Sequence, residues 1–162
     1  MSLVAEAILI GLGRLNVLLF VCINFYLTTG SVSVKQINVM MIGLGRIGGK
    51  FFQKFAEIEP SRVNIIAVSE PNLANPLLAE AEQRGIINYT NFEEAIRQHG
   101  ERIDIIMDTS NRPELKQALR RLLQETNNQH TVIVPMVVDY LMWYLLPDAE
   151  EIPQSHHASI GY

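Results

Sequence analysis

A glycine-spaced turn, set between an apolar run and an amphipathic segment, constrains this chain more than any other feature. Ile37–Ile42 (INVMMI) is almost continuously apolar, as a strand buried on both faces of a sheet must be. Gly43-Leu44-Gly45-Arg46-Ile47-Gly48 follows directly. From Arg46 to Ile58 the residues Ile47, Phe51, Phe52, Phe55 and Ile58 recur at helical spacing, and Pro60 stops the pattern. Val63–Val68 (VNIIAV) is a second apolar run. Strand, tight turn, helix and strand in so short a stretch imply two parallel strands joined by a helical crossover.

The alternation continues. Leu73–Arg84 reads as a helix closed at Gly85, and Ile86–Tyr89 as a short strand. Thr90 or Asn91 caps a helix over Phe92–His99, with Glu93 and Glu94 where the helix dipole favours acids. Ile103–Met107 is a fourth strand, Pro113–Leu123 a helix, Thr131–Val134 a fifth strand and Met136–Leu146 an apolar helix. The expected fold is α/β: a doubly wound, mostly parallel sheet of about five strands, Rossmann-like, preceded by an apolar N-terminal helix. The expected organisation is an apolar segment and linker over 1–34, the α/β domain over 35–147 and a polar tail over 148–162.

The glycine loop carries the chemistry. G-x-G-x-x-G alone is a weak pattern; between a strand and a helix that leads to a second strand it points to a dinucleotide. Gly43 allows the turn, Gly45 lets a pyrophosphate approach the backbone, and Gly48 lets the helix pack close to the sheet. The helix N-terminus offers N–H groups and partial positive charge. Arg46 and Ile47 lie in its first turn, and Arg46 can add a charge-assisted contact. Glu70, 27 residues after Gly43 at the end of the second strand, can accept from adenosine ribose hydroxyls and repel a 2′-phosphate, which favours NAD over NADP. Asp108-Thr109-Ser110-Asn111 ends the fourth strand, across the crevice where strand order reverses. Thr109 and Ser110 are candidates for the nicotinamide end; alternatively Asp108, Ser110 or Asn111 simply caps the following helix.

These residues bring a family into view. The blocks INVMMIGLGRIGGKFFQKF, VNIIAVSEPN, RGIINYTNFEEAI and IDIIMDTSNRPELKQAL, in that order, make residues 35–135 resemble the N-terminal domain of the glucose–fructose oxidoreductase/inositol dehydrogenase family and its relatives, aspartate dehydrogenase, homoserine dehydrogenase and dihydrodipicolinate reductase. The resemblance implies cofactor contacts at Gly43, Gly45, Arg46, Gly48 and Glu70, and also at Thr109 and Ser110. It implies no catalytic residue. The E-K-P motif that gives that family its lysine is replaced by Pro135-Met136, no lysine follows Lys116, and the substrate-holding second domain is expected to be missing or on another chain.

Composition narrows the remaining options. Thirteen Lys+Arg against seventeen Asp+Glu give a net charge of −4, the wrong sign for a protein built to hold nucleic acid phosphates. One cysteine, Cys22, excludes a disulfide framework and a cysteine-based zinc site, and no metal site is expected. Residues 1–34 carry only Glu6 and Arg14 as charges. Ile8–Leu27 has the length of a membrane-spanning helix, although Arg14 costs roughly 2.5–3.5 kcal/mol there. A buried or interfacial helix and an upstream extension of little consequence stay open; a cleaved signal peptide fits poorly with Glu6 as the first charge. Lys35, Arg46, Lys50 and Lys54 would put the α/β domain on the cytoplasmic side of any anchor. Ile10–Leu15 (IGLGRL) nearly repeats Ile42–Ile47 (IGLGRI), but only the second copy has the flanking pattern of a site.

His99 and His130 read as surface residues and His156-His157 as part of a flexible tail. Met136–Leu146, with Asp139 as its only charge and Trp143 as the only tryptophan, either closes the core or offers a surface to a partner chain or a second copy. Three functions follow: the cofactor half of an NAD(P)-dependent oxidoreductase, a non-catalytic NAD-binding redox sensor or regulator, membrane-tethered where Ile8–Leu27 serves as an anchor, or an interaction protein with a vestigial glycine loop.

Overall fold

The computed structural model describes residues 35–148 and 150–152. The expected N-terminal helix, the first glycine-loop copy, Cys22 and most of the polar tail lie outside these residues. Among the described residues no helix is long and apolar enough to cross a membrane.

Five strands form one parallel sheet: β1 (Ile37–Ile42), β2 (Val63–Ser69), β3 (Ile87–Tyr89), β4 (Ile105–Asp108) and β5 (Val132–Ile133). Their spatial order is β3-β2-β1-β4-β5. The chain therefore walks outward from β1 in one direction, returns, and walks outward in the other, which is the doubly wound arrangement. The reversal falls between β1 and β4, where Ile42 is in register with Asp108.

The helices are α1 (Arg46–Ala56), α2 (Leu77–Gln83), α3 (Phe92–His99), α4 (Pro113–Glu125) and α5 (Met136–Tyr144). Side chains alternate along β1, so Met40 and Ile42 face one layer while Val39 and Met41 face the other. The first layer holds α3 and α4 through Ala95, Ile96, Leu115, Leu119 and Leu122. The second holds α1, α2 and α5 through Phe51, Phe52, Ala81 and Trp143. Trp143 meets Phe51 edge-on, with ring centroids 6.1 Å apart, and so brings α5 onto the α1 layer.

The differences from the sequence reading are local. The second helix begins at Leu77 rather than Leu73, because Asn72 and Asn75 accept from the N–H groups of Ala74 and Leu77 and close turns that compete with a helix. Helix α1 ends at Ala56 rather than Ile58, since the residue before Pro60 disfavours helical backbone. Gly85 does follow the end of α2, with φ +72°. Asn91 caps α3 by accepting from Glu93 N–H. Strand β4 begins at Ile105, not Ile103, because a 3-10 turn over Gly100–Arg102 takes up the preceding chain. Strand β5 has only two residues. Helix α5 is apolar on nearly every side, yet Val137, Leu141 and Tyr144 are exposed, as is Leu145 directly after it.

Candidate functional site

The crevice above the carboxyl ends of β1, β2 and β4 gathers the residues singled out by the sequence. Strand β1 runs straight into the glycine loop, whose first residue, Gly43, has φ +82°. A side chain at Gly43 would also press on the Ser110 backbone, with Cα 3.1 Å away. A Cβ at Gly48 would collide with the Gly43 carbonyl and the Thr109 hydroxyl. These two glycines are fixed by packing within the domain. Gly45 differs: nothing lies within 4 Å of where its Cβ would be. It is the N-cap of α1, no side chain caps that end, and the first turn holds no acid. This helix terminus therefore lacks a side-chain cap and has open space beside Gly45, the condition that suits an anion.

Glu70 stands against this loop. It is buried, and its carboxylate accepts from Leu44 N–H at 2.7 Å and from Asn72 N–H at 2.8 Å. Its backbone is held by Asn88 of β3, which accepts from Glu70 N–H and donates to Glu70 C=O. An ionised carboxylate has about four lone-pair sites, so two such bonds leave it acceptor capacity for hydroxyl donors. Glu70 is thus a structural tie of the glycine loop before any ligand arrives, a role its spacing alone does not reveal.

On the far side of the crevice, Thr109 N–H continues the β1–β4 ladder to Ile42 C=O, and its hydroxyl donates to Gly43 C=O at 2.9 Å. Ser110 donates through both N–H and Oγ to Asp108 Oδ1, at 3.0 and 2.6 Å. Asp108 therefore closes its own turn. The helix that follows has Arg112 as N-cap with no side-chain bond, so neither Asp108, Ser110 nor Asn111 caps it. Asn111 instead takes a positive φ of 55° and turns the chain.

Arg46 is exposed and donates to Glu150 Oε2 at 2.5 Å; Lys50, one turn on, meets Asp148 at 2.5 Å. The opening of the polar tail is thereby tied along α1, and Trp143 Nε1 fixes it further by donating to Glu150 C=O. Ile47 is half-buried and packs on the α1 layer.

Two residues at this site carry signals that the sequence reading did not use. Asn75 donates to Leu44 C=O at 2.9 Å while its oxygen accepts from Leu77 N–H, so it joins the glycine loop to α2. The Asn75-Pro76 pair, a common helix-entry dipeptide, marks it. Asp139 is the second. It is 3% exposed, and its Oδ1 is the one buried side-chain polar atom without a hydrogen-bond partner among the described residues. Burial, and then the Asp108 carboxylate, raise its pKa from 3.8 to about 7, with Lys116 acting in the opposite direction. A lone acid in an all-apolar helix was the available signal.

Clefts of about 310 Å³ and 580 Å³ lie toward the amino ends of the strands, lined in part by Arg84 and Arg102, and by Arg97 and His130; they share no residue with the glycine loop. Among the described residues no group of three or more His, Cys, Asp or Glu side chains is arranged to hold a metal ion.

No family model and no curated protein matches the chain. Among solved structures, a match is found to myo-inositol 2-dehydrogenase from Lactobacillus plantarum, at 26% identity over 46% of this chain and 21% of that one, with a TM-score of 0.39. The chain thus spans about a fifth of that enzyme's length. The fold assignment rests on strand order, parallel register and the two helical layers.

Proposed function

We propose that the domain binds a nicotinamide dinucleotide, NAD in preference to NADP, as the cofactor half of an oxidoreductase whose substrate contacts come from residues beyond 35–152 or from another chain. The observation that carries this reading is the contrast among the three glycines. Gly43 and Gly48 admit no side chain for internal reasons, while Gly45, at the uncapped N-terminus of α1, has open space where a Cβ would stand. The residues present fit the group: α1 would take the pyrophosphate, Glu70 the adenosine ribose, and the β4 end the nicotinamide half. When bound, the nicotinamide ring supplies two-electron transfer chemistry. The chain's own part is to orient it, through the ties from Glu70 to Leu44 and from Thr109 to Gly43.

A second reading, a non-catalytic dinucleotide-binding sensor, is favoured by Asp108. The nearest acid to the glycine loop on β4 is occupied by both Ser110 donors.

Titrating the full-length chain with NAD(H) and NADP(H) by calorimetry tests the binding. NAD(H) is expected to bind more tightly, Gly45→Val to abolish binding while leaving the melting temperature near that of the parent, and Glu70→Gln to narrow the NAD preference. Failure of every nucleotide to bind a folded protein would make the glycine loop purely structural and turn attention to the exposed face of α5.

A further inference from the structure

We propose that the acidic segment bearing Asp148, Glu150 and Glu151 is an internal strap on α1, whose Glu150 carboxylate competes with the phosphates of a dinucleotide for Arg46. Binding then requires the Glu150 side chain to turn away from Arg46, and the strap sets how tightly the nucleotide is held. The inference rests on the dinucleotide reading above and adds to it a competing anion built into the chain.

Three observations carry it. The first is the set of contacts. Arg46 donates to the Glu150 carboxylate and, at 3.5 Å, to Glu151 C=O, while Lys50 pairs with Asp148. The second is register. Arg46 and Lys50 stand one turn apart on α1, a rise of about 6 Å, and two residues of chain span at most about 7 Å. Asp148 and Glu150 therefore meet successive turns together, and the segment runs from Lys50 toward Arg46, the end of α1 that adjoins the glycine loop. The third is anchorage. Trp143 Nε1 donates to Glu150 C=O at 2.7 Å, and Trp143 is itself buried against Phe51. Ile152 packs on the same apolar layer. The backbone is thus held beside α1, and only the Glu150 side chain has to move.

The first turn of α1 contains no acid of its own. An acid fixed there would suit the helix dipole but would repel a phosphate permanently. The carboxylate that reaches Arg46 comes instead from a residue 104 positions away, on a segment that can yield it. The pair is exposed, with the Arg46 and Glu150 side chains 53% and 75% accessible. Exposed ion pairs are weak and screened by salt. A phosphate beside Gly45 has the stronger claim, because it accepts from the guanidinium and from backbone N–H groups of the helix end together. The strap therefore lowers affinity without closing the site.

The test is calorimetric titration of the full-length chain with NAD, at about 20 mM and about 200 mM salt, for the parent, Glu150→Gln, Arg46→Met and the double variant. Glu150→Gln changes an exposed side chain and should melt near the parent's temperature. It is expected to bind NAD about fivefold more tightly at the lower salt, with the gain shrinking at the higher. Arg46→Met should weaken NAD binding, and adding Glu150→Gln to it should recover little. Binding by Glu150→Gln but not by the parent would also support the strap. A folded Glu150→Gln that binds no more tightly than the parent overturns it and leaves dinucleotide binding intact. So does an equal gain in the Arg46→Met background, since the contact with Arg46 would then play no part. Absence of NAD binding by all four proteins overturns both readings.

Discussion

Glu70 Oε2 accepts a hydrogen bond from the backbone N–H of Leu44 at 2.7 Å, linking the end of β2 to the glycine loop that follows β1. The bond is buried and spans 26 residues of chain. It makes Glu70 a determinant of loop geometry first and a ribose acceptor second. Glu70→Ala is therefore expected to destabilise the fold by about 2–4 kcal/mol, because the N–H groups of Leu44 and Asn72 lose their acceptor together. Glu70→Gln, which keeps one oxygen, should cost less than half of that. Urea denaturation of the two variants, without nucleotide, measures the difference.

The three glycines of the loop separate stability from binding. Gly48→Ala forces a methyl group into the Gly43 carbonyl and the Thr109 hydroxyl, and should cost about 3 kcal/mol or prevent folding. Gly45→Ala places its methyl group in open space and should change stability by less than about 0.5 kcal/mol. Equal losses in denaturation midpoint for the two would contradict this packing.

Stability should depend on pH through Asp139. Its pKa in the folded protein, about 7, lies above the value of 3.8 it has when exposed. The folded state then holds the proton more tightly than the unfolded chain does, and stability falls as pH rises from about 4 to about 7. The full effect is at most ~4 kcal/mol. Asp139→Asn should remove this slope and be the more stable protein at about pH 8, although it deletes a native charge. Thermal melts of both proteins across that range are the measurement, and a parent protein that grows more stable toward alkaline pH would refute it.

Helix α5 has two apolar sides with different expected roles. Trp143 is buried against Phe51, and Trp143→Ala should cost about 3–5 kcal/mol. Leu141 and Leu145 are 60% and 74% exposed, so Leu141→Glu and Leu145→Lys should each change stability by less than about 0.5 kcal/mol. We propose this exposed side as the surface for a partner chain or a second copy. Sedimentation of the double variant should show loss of whatever association the parent protein displays.

Much of this protein is legible in its sequence because the information is local. The run INVMMI, the glycine spacing and the apolar period through Phe55 specify β1, the turn and α1 from neighbouring residues alone. The spacing of the later runs specifies further parallel strands, since short connections leave only right-handed crossovers. A cap at Thr90 or Asn91 and a helix end at Gly85 are readable too, and the structure chooses Asn91, whose side chain accepts from Glu93 N–H. The start of α2 was less so, because the turns at Asn72 and Asn75 compete with helical periodicity over the same residues.

The site divides along the same line. The loop at Gly43–Gly48 and the acid just past β2 are legible along the chain, since both follow from position in a βαβ unit. What the polar groups touch is set by the folded arrangement alone. Glu70 ties Leu44, Thr109 clasps Gly43, Arg46 reaches Glu150, and Asp139 is buried near Asp108 with an oxygen unpaired. These relationships join residues from 26 to 104 positions apart. Hydrogen bonding and desolvation act over a few ångströms of space, and no pattern along the chain records which distant groups the fold will bring within that range.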